Sequence, residues 1–296
     1  FWAVLAESLT VLRTLDQLRE WRSTHNELGF VPTMGALHAG HLALVARAAR
    51  DGAPVLVSIF VNPTQFNRPE DLASYPRDED GDIALLRDSE AAAVWFPSAA
   101  DLYPDGVQSQ HFDLEGLDTR LEGALRPGHF QGVATVVDRL FTLSLATKAY
   151  FGLKDFQQVA VVRRLAALRG GTPIIVSCPT LRESDGLAMS SRNRLLSPQQ
   201  RTAAPAIYHA LLWAANEVRE FPAPARALQR ELRKELERAE GLVVESIDFI
   251  FSDTLEALTD PDRPVDSYGR SVQTLISVYA GEVRLIDNAP LYLCRP

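Results

Sequence analysis

The chain has 296 residues, 46% of them hydrophobic and 23% charged, with a formal net charge of −8. This is the make-up of a globular protein with room for one large or two medium cores. Its acidity argues against a general nucleic-acid or anionic-membrane surface, although a local pocket for phosphates stays open.

Phe1 to Leu12 are apolar, but they include Glu7, lack a basic leader region and run into the charged stretch Asp16 to Arg22. They read as a strand and the start of a helix, not as a signal peptide. Leucines at 9, 12, 15 and 18, continued by Trp21, give Ser8 to His25 a helical period. A short strand at Leu28–Pro32 breaks at its proline, a loop carries Gly35, and a helical pattern from Ala39 to Asp51 stops at Gly52. Strand, glycine loop and helix together offer an anion the backbone N–H groups of a helix start. His38 and His41 stand three apart there and share one side of the first turn, while Gly40 lets a ligand approach the backbone.

Ala53–Val61 is an unbroken apolar run suited to a central parallel strand. A helix at Gly81–Ser89, a strand at Ala92–Phe96 and a helix at Gly132–Thr147 follow. Next come a strand at Ala149–Gly152, a helix at Asp155–Arg169 and a strand at Pro173–Ser177. Such alternation predicts an α/β fold, a Rossmann-like doubly wound parallel sheet that binds ligands beyond the strands' carboxyl ends. The polar segments 33–41, 62–65 and 152–158 fall at those ends.

After Pro179 two helical stretches, Pro198–Glu220 and Pro224–Glu240, precede strand-like Val243–Phe251, Val272–Tyr279 and Val283–Ile286. Grouped helices and strands predict a smaller α+β domain, with the boundary placed at 181/182 and the link around Arg182–Asn193. That link contains Ser190-Ser191-Arg192, two hydroxyls and a guanidinium able to bind phosphate oxygens as charge shifts. Cys178 and Cys294 are the only cysteines, too few for a disulfide framework, which points to a reducing cytoplasm. No apolar run approaches the ~20 residues of a membrane span.

His38-Ala-Gly-His41 after an apolar strand resembles the HxGH signature of the nucleotidyltransferase superfamily, and Ser190-Ser191-Arg192 stands where such enzymes carry a second phosphate-binding loop. The segments between narrow the resemblance. Ser58-Ile-Phe-Val-Asn62-Pro-Thr-Gln65-Phe, Tyr75-Pro-Arg77, Leu121-Glu-Gly and Arg126-Pro-Gly-His129-Phe all match one family, as do Phe151-Gly-Leu-Lys154-Asp155-Phe-Gln-Gln158 and Arg284-Leu-Ile-Asp-Asn288. The chain resembles the pantothenate synthetase family, the pantoate–β-alanine ligases, over about residues 28–200 and again near the C-terminus.

The resemblance implies an ATP-dependent ligase that joins pantoate to β-alanine through pantoyl adenylate, releasing pyrophosphate and then AMP. It implies ATP contacts from Met34, Gly35, Ala36, Leu37, His38, Ala39, Gly40 and His41, and from Gly152, Leu153, Lys154 and Asp155. Leu181, Met189, Ser190, Ser191 and Arg192 complete that set. His41, His38, Lys154, Ser190, Ser191 and Arg192 are the expected catalytic residues. Gln65, Gln158, Met34 and Asn62 are expected to hold pantoate or β-alanine, the neutral amides gripping polar groups without over-stabilising the attacking carboxylate. Mg²⁺ is implied with ATP, with Asp82 and then Asp80 near it, while Arg126 and His129 would order a loop over the site. A homodimer formed through the larger domain is also implied. Two departures stand out: Leu153 replaces the Glu of many members, and Gly81 interrupts the acidic run. The rival readings are an HxGH transferase for a phosphorylated substrate, which would want Arg or Lys in place of Gln65 and Gln158, and a non-catalytic nucleotide sensor.

Overall fold

The structure, a computed structural model, describes residues 9–221 and 223–294. Of the stretch Phe1–Leu12 read as a strand and the start of a helix, residues 1–8 lie outside them. The chain divides into two compact units, Phe1–Pro179 and Thr180–Pro296.

The first unit is built on a six-stranded parallel sheet: β1 Thr10–Leu12, β2 Gly29–Thr33, β3 Val55–Ile59, β4 Ala93–Trp95, β5 Lys148–Gly152 and β6 Ile174–Cys178, in the order β1-β4-β3-β2-β5-β6. Neighbouring residues on each strand face opposite sides. Phe30, Leu56, Ala93 and Ala149 join Val133, Leu140, Val159 and Leu165 from the helices His129–Ser144 and Phe156–Leu168. Val31, Val57, Val94 and Tyr150 join Val45, Ala48, Ile83 and Leu86 from the helices Ala39–Arg50 and Glu79–Arg87. Both faces are covered, which is why the strands read as continuous apolar runs.

The strand order reverses at β2. It pairs with β3 over all five residues, but with β5 only through Gly29↔Lys148 and Phe30↔Ala149. Pro32, which has no N–H to give, lies beyond the last β2–β5 pair. The carboxyl ends of β2 and β5 are therefore released from each other, and a doubly wound sheet opens its crevice at such a switch point.

The helical period assigned to Ser8–His25 is corrected in its first half. Thr10–Leu12 is an edge strand parallel to β4, and the helix runs only over Leu15–Ser23. A capping box decides the start: the Thr14 hydroxyl accepts from Gln17 N, and Gln17 Oε1 accepts from Thr14 N.

In the second unit the helices Ala206–Glu220 and Ala225–Glu237 pack on an antiparallel sheet of β7 Leu242–Phe251, β8 Val272–Ala280 and β9 Val283–Tyr292. Leu211, Leu228 and Leu232 meet Ile247, Phe249 and Val278 in its core. The single helix expected over Pro198–Glu220 is two, ending at Ala203 and restarting at Ala206. Pro205 between them lacks the N–H that would continue the ladder.

Candidate active site

The turn after β2 carries two consecutive left-handed residues, Gly35 (φ +82°) and Ala36 (φ +48°), and delivers the chain to a helix whose N-cap is His38. His38 Nδ1 accepts from Gly40 N at 3.1 Å, and His41 Nδ1 accepts from His38 N at 3.3 Å. The two imidazoles thus form a capping box in place of the usual hydroxyl and carboxylate. An accepting Nδ1 puts the proton of a neutral ring on Nε2, so each ring is a donor on its other nitrogen. The ring centroids are 4.1 Å apart. Two N–H donors and a helix N-terminus at one point favour an anion. At the far end of this helix, Tyr150 of β5 donates its hydroxyl to Asp51 at 2.8 Å. That bond first, and the Arg47 guanidinium second, hold the Asp51 carboxyl below its ordinary value.

After β3, Asn62 caps the short turn Pro63–Gln65. It is 1% exposed and fully committed. Its Nδ2 donates to Gln65 Oε1 (3.1 Å) and Gly132 O (3.2 Å), while its Oδ1 accepts from Thr64 Oγ1 and Tyr103 OH. Burial raises the Tyr103 phenol's pKa, keeping it a donor. Asn62, expected at the substrate, spends both its amide hydrogens inside the protein and braces the Gln65 side chain.

Gln65 is held from both ends. Its Nε2 lies 3.0 Å from Met34 Sδ, and its backbone oxygen accepts from His129 Nδ1 (2.7 Å) and Arg126 Nη2 (3.3 Å). Arg126 and His129 therefore act on the Gln65 turn directly. Gly132 lets the helix His129–Ser144 close on this turn, since a Cβ there would lie 2.3 Å from Thr64 O. Tyr103 and Gly132 were missed from sequence. The helix begins at His129 instead of at Gly132 as expected, which puts that glycine inside its first turn.

β5 ends in the turn Leu153–Asp155, which leads into the helix Phe156–Leu168. Gly152, Leu153, Lys154 and Asp155 are all half-buried here, with Lys154 Nζ 3.7 Å from Asp155 Oδ1. Gln158 is half-buried and its amide makes no hydrogen bond to any described residue. Met34 and Gly40 are half-buried and Ala39 is exposed, whereas Ala36 and Leu37 are 0% exposed and give their N–H groups to Asp82.

Asp82 does not fit the expected metal role. It is 2% exposed, and its two oxygens accept from Ala36 N (2.9 Å) and Leu37 N (2.6 Å). Asp80 is exposed. Among the described residues no group of three or more His, Cys, Asp or Glu side chains is assembled as a metal site.

In the second unit Leu181 is exposed, and residues 181–189 form a tight reversal in which Met189 N donates to Leu181 O and Arg182 bridges to Ala188. Arg182 is clamped by Asp287, with Nη2 to Oδ1 at 2.9 Å, and stacks 3.8 Å over the Tyr208 ring. Ser190 caps the turn Ser191–Leu195, Ser191 is buried, and Arg192 Nη1 reaches Arg284 O at 3.4 Å.

A doubly wound parallel sheet with a histidine-capped helix at its switch point defines an α/β protein with an anion-favouring helix start where its crevice opens. The family model described as pantoate-beta-alanine ligase matches residues 9–290. Pantothenate synthetase of Herpetosiphon aurantiacus is 43% identical over 280 residues, covering 95% of this chain and 99% of the relative. That of Rubrobacter xylanophilus is 45% identical over 295 residues, covering 95% and 98%. The crystal structure of pantothenate synthetase from Thermus thermophilus superposes with a TM-score of 0.85 at 40% identity, covering 96% of this chain and all of that one. The Francisella tularensis pantoate-beta-alanine ligase, complexed with beta-gamma ATP and beta-alanine, gives 0.75 at 32% identity, covering 96% and 98%. The chain belongs to the pantoate–β-alanine ligase family and is a ligase that forms an amide C–N bond.

Proposed function

We propose that the ATP-dependent condensation of pantoate with β-alanine, the reaction of this ligase, runs through pantoyl adenylate on the residues just described. The pantoate carboxylate attacks the α-phosphorus of ATP, a P–O bond forms and pyrophosphate leaves. The β-alanine amine then attacks the acyl carbon, loses a proton, and AMP departs. The first step brings one anion onto another, so its barrier is electrostatic. His38 and His41 offset the charge as Nε2–H donors at a helix N-terminus, with Lys154 adding a cation from the neighbouring strand end. Ser190, Ser191 and Arg192, on the unit Thr180–Pro296, follow the leaving phosphates. Gly152, Leu153 and Asp155 hold the nucleoside, Asp155 at the ribose hydroxyls.

Gln65 and Gln158 hold pantoate, with Met34 against its methyls. Their neutrality favours this over the rival with a phosphorylated substrate, which would need paired cations. The observation that carries the reading is the two-histidine capping box, which commits both Nδ1 atoms and fixes both Nε2 atoms as donors. Mg²⁺, brought in with ATP, would offset charge on the phosphates, and no step here depends on a protein ligand to it. The enzyme works in the cytoplasm as a homodimer formed through the first unit. Sedimentation at micromolar concentration should give a two-chain particle, and a monomer would remove this assignment.

The test of the chemistry is single-turnover release of pyrophosphate from ATP and pantoate before β-alanine is added. His41→Ala should slow it by about 10²–10³-fold, the cost of losing one donor to developing charge, with the fold unchanged. A wild-type rate in that variant would reject the role given to His41.

A further inference from the structure

The turn between β2 and its helix is conformationally expensive. Ala36 holds a left-handed φ of +48° directly after Gly35 at +82°, and an L-residue stays there only when its surroundings impose it. What imposes it comes from 46 residues away. Asp82, on the helix Glu79–Arg87, places Oδ2 2.9 Å from Ala36 N and Oδ1 2.6 Å from Leu37 N. Two successive N–H groups converging on one point form a nest for an anion, and here the anion is the protein's own carboxylate.

The same oxygen explains Gly35, where a Cβ would lie 2.9 Å from Asp82 Oδ2. The rest of the acidic run does other things. Asp78 caps its own helix through Gly81 N at 3.1 Å, Glu79 pairs with Arg13, and Asp80 is exposed. Leu37 immediately precedes His38, so the position of this nest sets where the histidine capping box begins.

We infer that Asp82 is a positioning residue for the His38–His41 pair, acting through the Ala36 and Leu37 amides and not as a ligand to the metal that accompanies ATP. The inference rests on the reading that those histidines serve the adenylation step. Its structural half stands without that reading.

The experiment compares wild type with Asp82→Asn, which keeps one acceptor but sets an NH₂ against the other amide. In enzyme free of nucleotide and metal, amide exchange of Ala36 and Leu37 should be at least about tenfold faster in the variant. The kcat for pyrophosphate release should fall on the order of 10²-fold, the cost of a small misplacement, with a smaller change in the ATP KM and an unchanged Mg²⁺ concentration for half activity. Unaltered exchange, or activity recovered by excess Mg²⁺, overturns the inference. If the wild type releases no pyrophosphate, the adenylation reading fails and the exchange comparison still decides the brace. Should the variant not fold, the wild type is titrated with Mg²⁺ alone. Unchanged exchange at Ala36 and Leu37 supports the inference, and faster exchange overturns it, because a metal ligand would have to leave those amides.

Discussion

Gln157 and Gln158 are neighbours with opposite fates. Gln157 is 3% exposed and tethers the 117–122 loop, accepting from Glu122 N (3.1 Å) and donating to Leu117 O (2.7 Å) and Arg120 O (2.8 Å). Gln158 is half-buried and unbonded to any described residue, which suits the pantoate contact proposed for it. Replacing Gln158 with Ala should therefore raise the pantoate KM by about 5- to 150-fold, the worth of one uncharged hydrogen bond of roughly 1–3 kcal/mol in a buried site. The ATP dissociation constant should hardly move. Separate titrations of the two ligands check this, and equal weakening of both would remove the substrate assignment. Gln157→Ala should instead lower stability, since it orphans the Glu122 N–H and two carbonyls.

Helices place these side chains by how they are pinned. Ala39–Arg50 is fixed at its start by the histidine box and at its end by Asp51 against Tyr150 and Arg47. Because the Asp51 carboxyl is held below its ordinary value of 3.8, this anchor is fully present above that pH and is lost as pH falls through the lowered value. The helix His129–Ser144 is pinned instead by absence of a side chain, at Gly132. Gly132→Ala gains about 1 kcal/mol of helix propensity but forces a Cβ onto Thr64 O, at a cost of roughly 1–3 kcal/mol. The clash should win: thermal melting should show a less stable protein, and the pantoate KM should rise as the Gln65 turn is displaced. A stabilised variant with an unchanged KM would mean the turn yields without consequence.

For the whole molecule, the parallel sheet does the gathering. It brings the segments after β2, β3 and β5 to one edge, although about 120 residues of sequence lie between Met34 and Lys154. The Ser190-Ser191-Arg192 loop belongs to the other unit, and its proposed part in catalysis is tested through its response to nucleotide. ATP with Mg²⁺ should slow amide exchange over residues 186–194. Exchange that is the same with and without nucleotide would remove the proposed phosphate role of this loop.

The fold of the first unit is written in local sequence patterns. The alternation of apolar strands and amphipathic helices, the glycine turn, the histidine pair and the Ser-Ser-Arg loop are local patterns. Their physics, a period of two or 3.6 residues or a cap three residues from its partner, acts between near neighbours. The sequence by itself therefore determined the doubly wound sheet and that the 33–41, 62–65 and 152–158 segments stand at its carboxyl ends. The tertiary structure alone decided what Asp82, Asn62, Tyr103 and Gly132 do. Asp82 meets Ala36 across 46 residues, and Asn62 meets Gly132 across 70. Whether a carboxylate binds a metal or a turn, and whether an amide faces substrate or its neighbour, depends on which distant groups the packed sheet brings within about 3 Å, and no periodicity records that.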